Sequence, residues 1–261
     1  MWARGRLKQG FKILASGALF SLLGLGGLLA TALVVPFLRF GSGRQRRARR
    51  FIQICFKGFV WALEGSSILK LEVEGLPEDP RTLDGCLLLP NHPGYLDVVL
   101  LIAVLGRPCC VVKTFVYDNL LFGRVVRAAG YVANRDPEGV IAEGASVLRQ
   151  GDGLILFPEG TRSHLGEPLR FQRGAAHIAL ESGALLRPIL VTCEPPLLSK
   201  GAKWYDIPLE TCRYRIRIQP QLDLDVPRLC ELPRHHAART LTHALEQHFH
   251  KELHESGRHA P

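Results

Sequence analysis

The chain has 261 residues, enough for one full-sized domain with an appended segment but short for two independent globular domains. Lysine plus arginine outnumber aspartate plus glutamate by 33 to 24, a surplus of +9 that favours anionic partners such as phosphorylated ligands, acidic lipids or nucleic acid without choosing among them. The seven cysteines are odd in number and scattered, with no CxxC pair; this excludes a disulfide framework or a zinc site and reads as reduced thiols in a cytosolic setting.

From Ile13 to Leu38 there are 26 consecutive uncharged residues. As a helix they would measure about 39 Å against a hydrocarbon core of roughly 30 Å, so this segment enters a membrane. A cleaved signal peptide competes, through the A-x-A pattern at Ala30 and Ala32, but the apolar run exceeds the usual ~7 to 15 residues of such a leader. Arg4, Arg6, Lys8 and Lys12 precede the run, and Arg39, Arg44, Arg46, Arg47, Arg49 and Arg50 follow it. The positive-inside rule thus draws both ends to the cytoplasm, and a re-entrant or in-plane anchor competes with a simple span.

Directly after the arginines, Phe51, Ile52, Cys55, Phe59 and Ala62 recur at helical intervals, with Trp61 and Leu63 widening the apolar face. This predicts an amphipathic helix on lipid, each arginine adding on the order of 1 kcal/mol of attraction to an anionic surface. A solvated charge run or a nucleic-acid patch is the bland alternative. Aromatic residues are not interleaved with the basic run, as a base-stacking platform would require, so no nucleic-acid partner is expected. Residues 1–68 are read as a membrane anchor, an apolar helix over 11–40 and a basic amphipathic helix over 44–68, at the cytoplasmic face of a bacterial inner membrane. Residues 69–261 are the second unit.

Beyond Lys70 short apolar runs alternate with helix-like segments. Leu69–Val73, Cys86–Leu89, Pro108–Val112, Leu154–Phe157 and Leu186–Thr192 read as buried strands. Helices are predicted over Asp97–Leu105, Asn119–Ala129, Pro137–Gln150 with Asp136 as N-cap, and Arg173–Ser182 stopped by Gly183. Arg213–Leu224 alternates and suggests one or two edge strands, and Pro233 begins a last helix to about His254. The fold class is therefore α/β, a mixed, largely buried sheet flanked by helices behind an N-terminal helical anchor.

Two constellations carry chemistry. In Asn91-His92-Pro93-Gly94-Tyr95-Leu96-Asp97 a histidine sits at a strand end, where clefts form, with an aspartate five residues on. If the turn folds back, the carboxylate holds the imidazole tautomer and stabilises the imidazolium formed on proton abstraction. The spacing alone is weak, because ten histidines and nine aspartates placed at random give about 0.3 such pairs. The second constellation, Phe157-Pro158-Glu159-Gly160-Thr161-Arg162-Ser163, again follows a strand and makes a tight loop whose amides and arginine can hold an anion.

The Asn-His-x-x-x-x-Asp block followed some 60 residues later by Phe-Pro-Glu-Gly-Thr-Arg-Ser resembles the 1-acylglycerol-3-phosphate O-acyltransferase family of lysophospholipid and glycerolipid acyltransferases, over roughly Leu69 to Thr192. The resemblance implies an acyltransferase catalytic domain over 69–261, moving a fatty acyl group from acyl-CoA or acyl carrier protein to a lysophospholipid hydroxyl. On this sequence His92 becomes the general base and Asp97 its orienting partner, with no acyl-enzyme and no cofactor beyond the donor substrate. Lys113, and Arg135 in Gly130-Tyr131-Val132-Ala133-Asn134-Arg135, resemble the family's further basic positions, and with Arg162 they become candidates for gripping the acceptor's phosphate. Gly160 and Thr161 belong to the same binding loop. Glu159 has two equal readings, contact with the acceptor or support of the loop. Amides near Gly94 or Gly160 are candidate donors to the thioester oxygen.

Gly94 stands where many relatives have serine, and Asn134 where an acidic residue is frequent, which leaves the acceptor open. Lysophosphatidate, giving phosphatidate, leads; a lyso-ornithine lipid, another lysophospholipid or a polyketide-like hydroxyl are alternatives within the same chemistry, and a non-catalytic membrane adaptor is an alternative outside it. Seven of the ten histidines crowd the C-terminal segment, and His250 with His254 has i, i+4 spacing; without an acidic HExxH core no metal site is expected.

Overall fold

The computed structural model describes residues 2–29, 43–163, 167–222, 224, 229 and 231–258. Two helices lead, α1 (Trp2–Leu29) and α2 (Arg44–Gly65). α1 starts earlier than the predicted 11–40 helix, whose part beyond Leu29 lies outside the described residues. Its stretch Lys8–Leu29 is long and apolar enough to cross a membrane, and Leu14, Leu22 and Leu25 stand largely exposed. The other side of α1 rests on the body of the protein. Phe20 meets Phe59 at 5.7 Å between ring centroids, and Lys12 Nζ donates to the carbonyls of Leu209 and Glu210 at 3.0 and 3.1 Å.

α2 buries Ala48, Ile52, Phe59, Val60 and Leu63 in the same core as the sheet, one helical stripe of the amphipathic pattern. Helical phase also corrects the reading of the basic run as wholly lipid-facing. Arg49 falls on the buried stripe beside Ala48, is 1% exposed, and donates to Ala129 O at 2.8 Å and to Asp152 Oδ2 at 2.9 Å.

Among the described residues seven strands form one sheet: β1 (Leu69–Glu74), β2 (Leu87–Pro90), β3 (Cys109–Lys113), β4 (Val132–Asn134), β5 (Leu154–Ile155), β6 (Leu186–Glu194) and β7 (Cys212–Ile218). Their spatial order is β1-β7-β6-β2-β5-β3-β4. The five strands from β6 to β4 run parallel; β7 is antiparallel to β6, and β1 is parallel to β7. Helices make the crossovers: α3 (Asp97–Leu105), the short α4 (Thr114–Tyr117) and α5 (Gly123–Ala128), α6 (Pro137–Arg149) and α7 (Gly174–Ser182), with α8 (Arg234–Arg258) last. α2 packs on α3, and α6, α7 and α8 pack in succession as a second helical layer. Leu87, Leu88, Leu89, Leu154 and Ile155 are fully buried, as strands covered on both faces must be, so they read as unbroken apolar runs.

Local chemistry sets the helix ends. Asp136 accepts the Gly139 amide at 2.6 Å with Pro137 in the first turn, and Gly183 closes α7 in the left-handed region at φ 68°. The helix predicted from Asn119 begins only at Gly123, because the Asn119 side chain accepts the amides of Leu121 and Phe122 and holds a turn there. β4, unpredicted, is a three-residue edge strand too short to show a pattern. β7 is interior rather than an edge. Its alternation arises because Cys212, Tyr214, Ile216 and Ile218 are buried, while Arg213 and Arg215 reach Glu72 on β1.

One consequence governs function. The carboxyl ends of β6, β2, β5, β3 and β4 share one edge of the sheet with the start of β7, the edge where α/β proteins open their clefts.

Candidate active site

The chain leaves β2 at Pro90, and Asn91 anchors the turn that follows. Its buried side chain donates to Val191 O at 2.9 Å and accepts the Val191 amide at 2.7 Å, so it copies a strand pairing onto β6. His92 comes next, its ring 4.2 Å from that of Phe157 and its side chain 15% exposed. The turn then delivers Asp97 to the first residue of α3, where the positive end of the helix favours a carboxylate.

Asp97 is fully buried and receives three donors. His92 Nδ1 lies 2.6 Å and the Gly94 amide 2.8 Å from Oδ2, while the Tyr214 hydroxyl donates to Oδ1. A carboxylate can only accept, so Nδ1 carries a proton, and in the neutral ring Nε2 then keeps its lone pair, the tautomer a general base requires. Tyr214 is itself buried. Burial and the adjacent Asp97 charge hold its phenol well above the ordinary tyrosine range, so it stays a donor.

The 157–163 loop continues β5, the neighbour of β2, and closes against the His92 turn. Glu159 Oε1 accepts the His92 amide at 2.8 Å and the Ser163 hydroxyl at 3.0 Å, and the Ser163 amide returns a bond to His92 O at 2.8 Å. Glu159 is 7% exposed; burial pushes its carboxyl above the usual range, partly offset by the bonds from Ser163 and His92. Gly160 turns the loop at φ 67°, and with Thr161 it stands exposed at the tip. Arg162 lies over the Tyr95 ring, Cζ 3.7 Å from its centroid, and donates to Ser199 O at 3.1 Å.

The structure thus brings together His92, Asp97, Glu159 and Arg162. Lys113 ends β3 and Arg135 follows β4 on the same edge, but β5, and for Arg135 also β3, intervene. At about 4.8 Å per strand this separates them from β2 by roughly 10 and 14 Å of sheet. Arg135 pairs with Asp118 at 3.0 Å and lies over Tyr117, whereas among the described residues Lys113 and Arg162 have no carboxylate partner. The amides of Gly94 and Gly160 are both taken, by Asp97 and by Phe157 O, so neither is free for a thioester oxygen.

Tyr214, Asn91 and Phe157 escaped the sequence reading as site residues. Only Tyr214 left a signal, a tyrosine on the inward phase of an alternating strand, where a buried hydroxyl needs a partner. Among the described residues no cluster of metal-ligating side chains occurs.

An imidazole–carboxylate pair thus stands at the carboxyl edge of the parallel strands, beside an arginine that has no carboxylate partner among the described residues. Residues 70–192 match the family described as Acyltransferase, and the relatives that the chain resembles are 1-acyl-sn-glycerol-3-phosphate acyltransferases. It is 28% identical over 183 residues to the 1-acyl-sn-glycerol-3-phosphate acyltransferase alpha of Mus musculus, covering 64% of this chain and 62% of that protein. It is 25% identical over 191 residues to the chloroplastic 1-acyl-sn-glycerol-3-phosphate acyltransferase LPAT1 of Arabidopsis thaliana, covering 69% and 52%. The chain therefore matches less than two thirds of these relatives' length. Among solved structures, the 1-acyl-sn-glycerophosphate acyltransferase PlsC of Thermotoga maritima has the same fold, with a TM-score of 0.64 at 18% identity over 92% of this chain and 97% of that one.

Proposed function

We propose that the protein transfers a fatty acyl group from acyl-CoA or acyl carrier protein to the free hydroxyl of a lysophospholipid, with 1-acyl-glycerol-3-phosphate as acceptor and phosphatidate as product. The observation that carries this reading is the 2.6 Å contact of His92 with a buried Asp97 at a strand end, beside Arg162.

His92 Nε2 takes the proton of the acceptor hydroxyl as its oxygen attacks the thioester carbonyl. The imidazolium formed is stabilised by Asp97, then returns the proton to the departing sulfur as the C–S bond breaks, releasing a free thiol. Arg162 meets the acceptor's phosphate, its guanidinium held over Tyr95, and Lys113 reaches the same headgroup from two strands away. Arg135, farther off and paired with Asp118, serves at the rim. Glu159 serves mainly by holding the two loops together. The mechanism uses no cysteine of the chain; burial pushes Cys109 up to about 11, far from a nucleophilic thiolate at neutral pH.

The apolar side of α1 and the exposed Arg44, Arg47 and Arg50 of α2 support work at a membrane surface, on its cytoplasmic face. The test is thiol release from each donor, with an acceptor panel. Wild type should release thiol only with an acceptor, and His92→Ala should lose roughly 10²- to 10⁴-fold in rate without unfolding. Full activity in that variant refutes the mechanism.

A further inference from the structure

We propose that Tyr214 is a positioning residue for the His92–Asp97 pair and that position 94 is glycine to seat the Tyr214 hydroxyl, an assignment that rests on the proton-transfer reading of His92. The two other donors to Asp97, His92 Nδ1 and the Gly94 amide, both bind Oδ2. Among the described residues the Tyr214 hydroxyl alone binds Oδ1. A carboxylate held through one oxygen can swing about it. Held through both, it presents Oδ2 to the imidazole in one orientation, which holds the ring and its tautomer in place.

The hydroxyl arrives from far along the chain. Tyr214 opposes Cys193 in the β6–β7 pairing, and its side chain is fully buried. A tyrosine buried this deeply needs a partner for its hydroxyl, and Asp97 is that partner.

Gly94 supplies the second observation. Its backbone does not lie in the left-handed region, so conformation does not demand glycine there. Space does: a Cβ at 94 would sit 3.0 Å from the Tyr214 hydroxyl, 3.0 Å from Leu197 O and 3.5 Å from Asp97 Oδ1. Even a methyl group therefore crowds the oxygen that binds Asp97.

The experiment compares Tyr214→Phe, Gly94→Ala, their combination and His92→Ala in the full-length protein, by acceptor-dependent thiol release across pH and by thermal unfolding. Tyr214→Phe should lower kcat about tenfold while both KM values stay within about twofold, since the group touches no substrate. Its acid limb should move to higher pH, because a carboxylate short of one donor binds the imidazolium more tightly. A merely structural tyrosine would lower Tm and leave that limb in place.

Gly94→Ala should cause a loss in wild type and a clearly smaller further loss in the Tyr214→Phe background, where its crowding of the hydroxyl is gone and only that of Leu197 O remains. Wild-type kcat and pH profile in Tyr214→Phe would overturn the role of Tyr214, and fully additive losses would overturn its link to Gly94. His92→Ala separates the two levels: if it keeps full activity the acyl-transfer mechanism itself fails, whereas an inactive His92→Ala beside an unaffected Tyr214→Phe defeats only the present assignment.

Discussion

Glu159 offers the sharpest test of how the site is held. One oxygen of this carboxylate binds the His92 amide at 2.8 Å and the Ser163 hydroxyl at 3.0 Å, and the residue is 7% exposed. Glu159→Ala removes the acceptor of both bonds, each worth about 1.5–3 kcal/mol to a charged group, and relieves the cost of burying that charge. The net loss should be about 2–4 kcal/mol, which in a chain of this size lowers Tm by roughly 5–15 °C. Glu159→Gln keeps a carbonyl oxygen for both donors and discards the charge, so it should melt within a few degrees of wild type at neutral pH.

The sign of the pH dependence follows from the cause of the shift. Burial raises the folded-state pKa of Glu159 above its ordinary 4.5. The folded state therefore holds this proton more tightly than the unfolded chain, and the stabilisation is complete below 4.5 and is lost as pH rises through the folded value. Wild type should lose stability relative to Glu159→Gln across that window, and the two should differ by a constant at higher pH. Thermal unfolding at a series of pH values, with acceptor KM measured on the same samples, decides the matter. If Glu159→Gln raises acceptor KM while Glu159→Ala leaves Tm unchanged, Glu159 works on the ligand and the bracing argument is refuted.

Two further outcomes follow from the packing. Arg49→Met should cost about 2–3 kcal/mol in thermal or denaturant unfolding, because the Ala129 carbonyl loses its donor and Asp152 keeps only the exposed Arg46 at 3.5 Å, and adding Asp152→Asn should recover part of the loss. Removing residues 1–42 should shift the protein from the membrane pellet to the supernatant with its fold intact, whereas removal through residue 68 should unfold it, since α2 supplies core residues; circular dichroism and sedimentation separate the cases.

What the sequence revealed, and what it hid, tracks the range of the interaction. His92 and Asp97 were legible because a strand end, five residues and a helix start bring them together without help from distant chain, and they meet at 2.6 Å. The loop carrying Glu159 and Arg162 was legible as a loop, but the choice between ligand contact and bracing depended on where β5 lies. Sheet order is absent from any linear pattern, so nothing in the chain announced that β5 stands between β2 and β3 and keeps Lys113 and Arg135 back from the histidine. Tyr214 was hidden for the same reason, 117 positions from its carboxylate. Arg49 was misread for a different one: a basic run looks uniform as text, whereas a helix turns one residue in four toward the core.

The braces on the His92 turn come from three neighbouring strands, and each holds a different part. β6 holds Asn91 through the Val191 backbone, the loop after β5 holds the His92 amide through Glu159, and β7 holds Asp97 through Tyr214. All three are contacts of the chain with itself, so on the proposed reading the fold orients the base. Binding energy from the headgroup is then free to position the hydroxyl rather than to assemble the histidine. It follows that the braces and the cations divide the kinetics between them: weakening a brace should lower kcat with little change in KM, and weakening a cation should do the reverse. A site in which substrate binding had to fold the turn would instead couple the two parameters at every position.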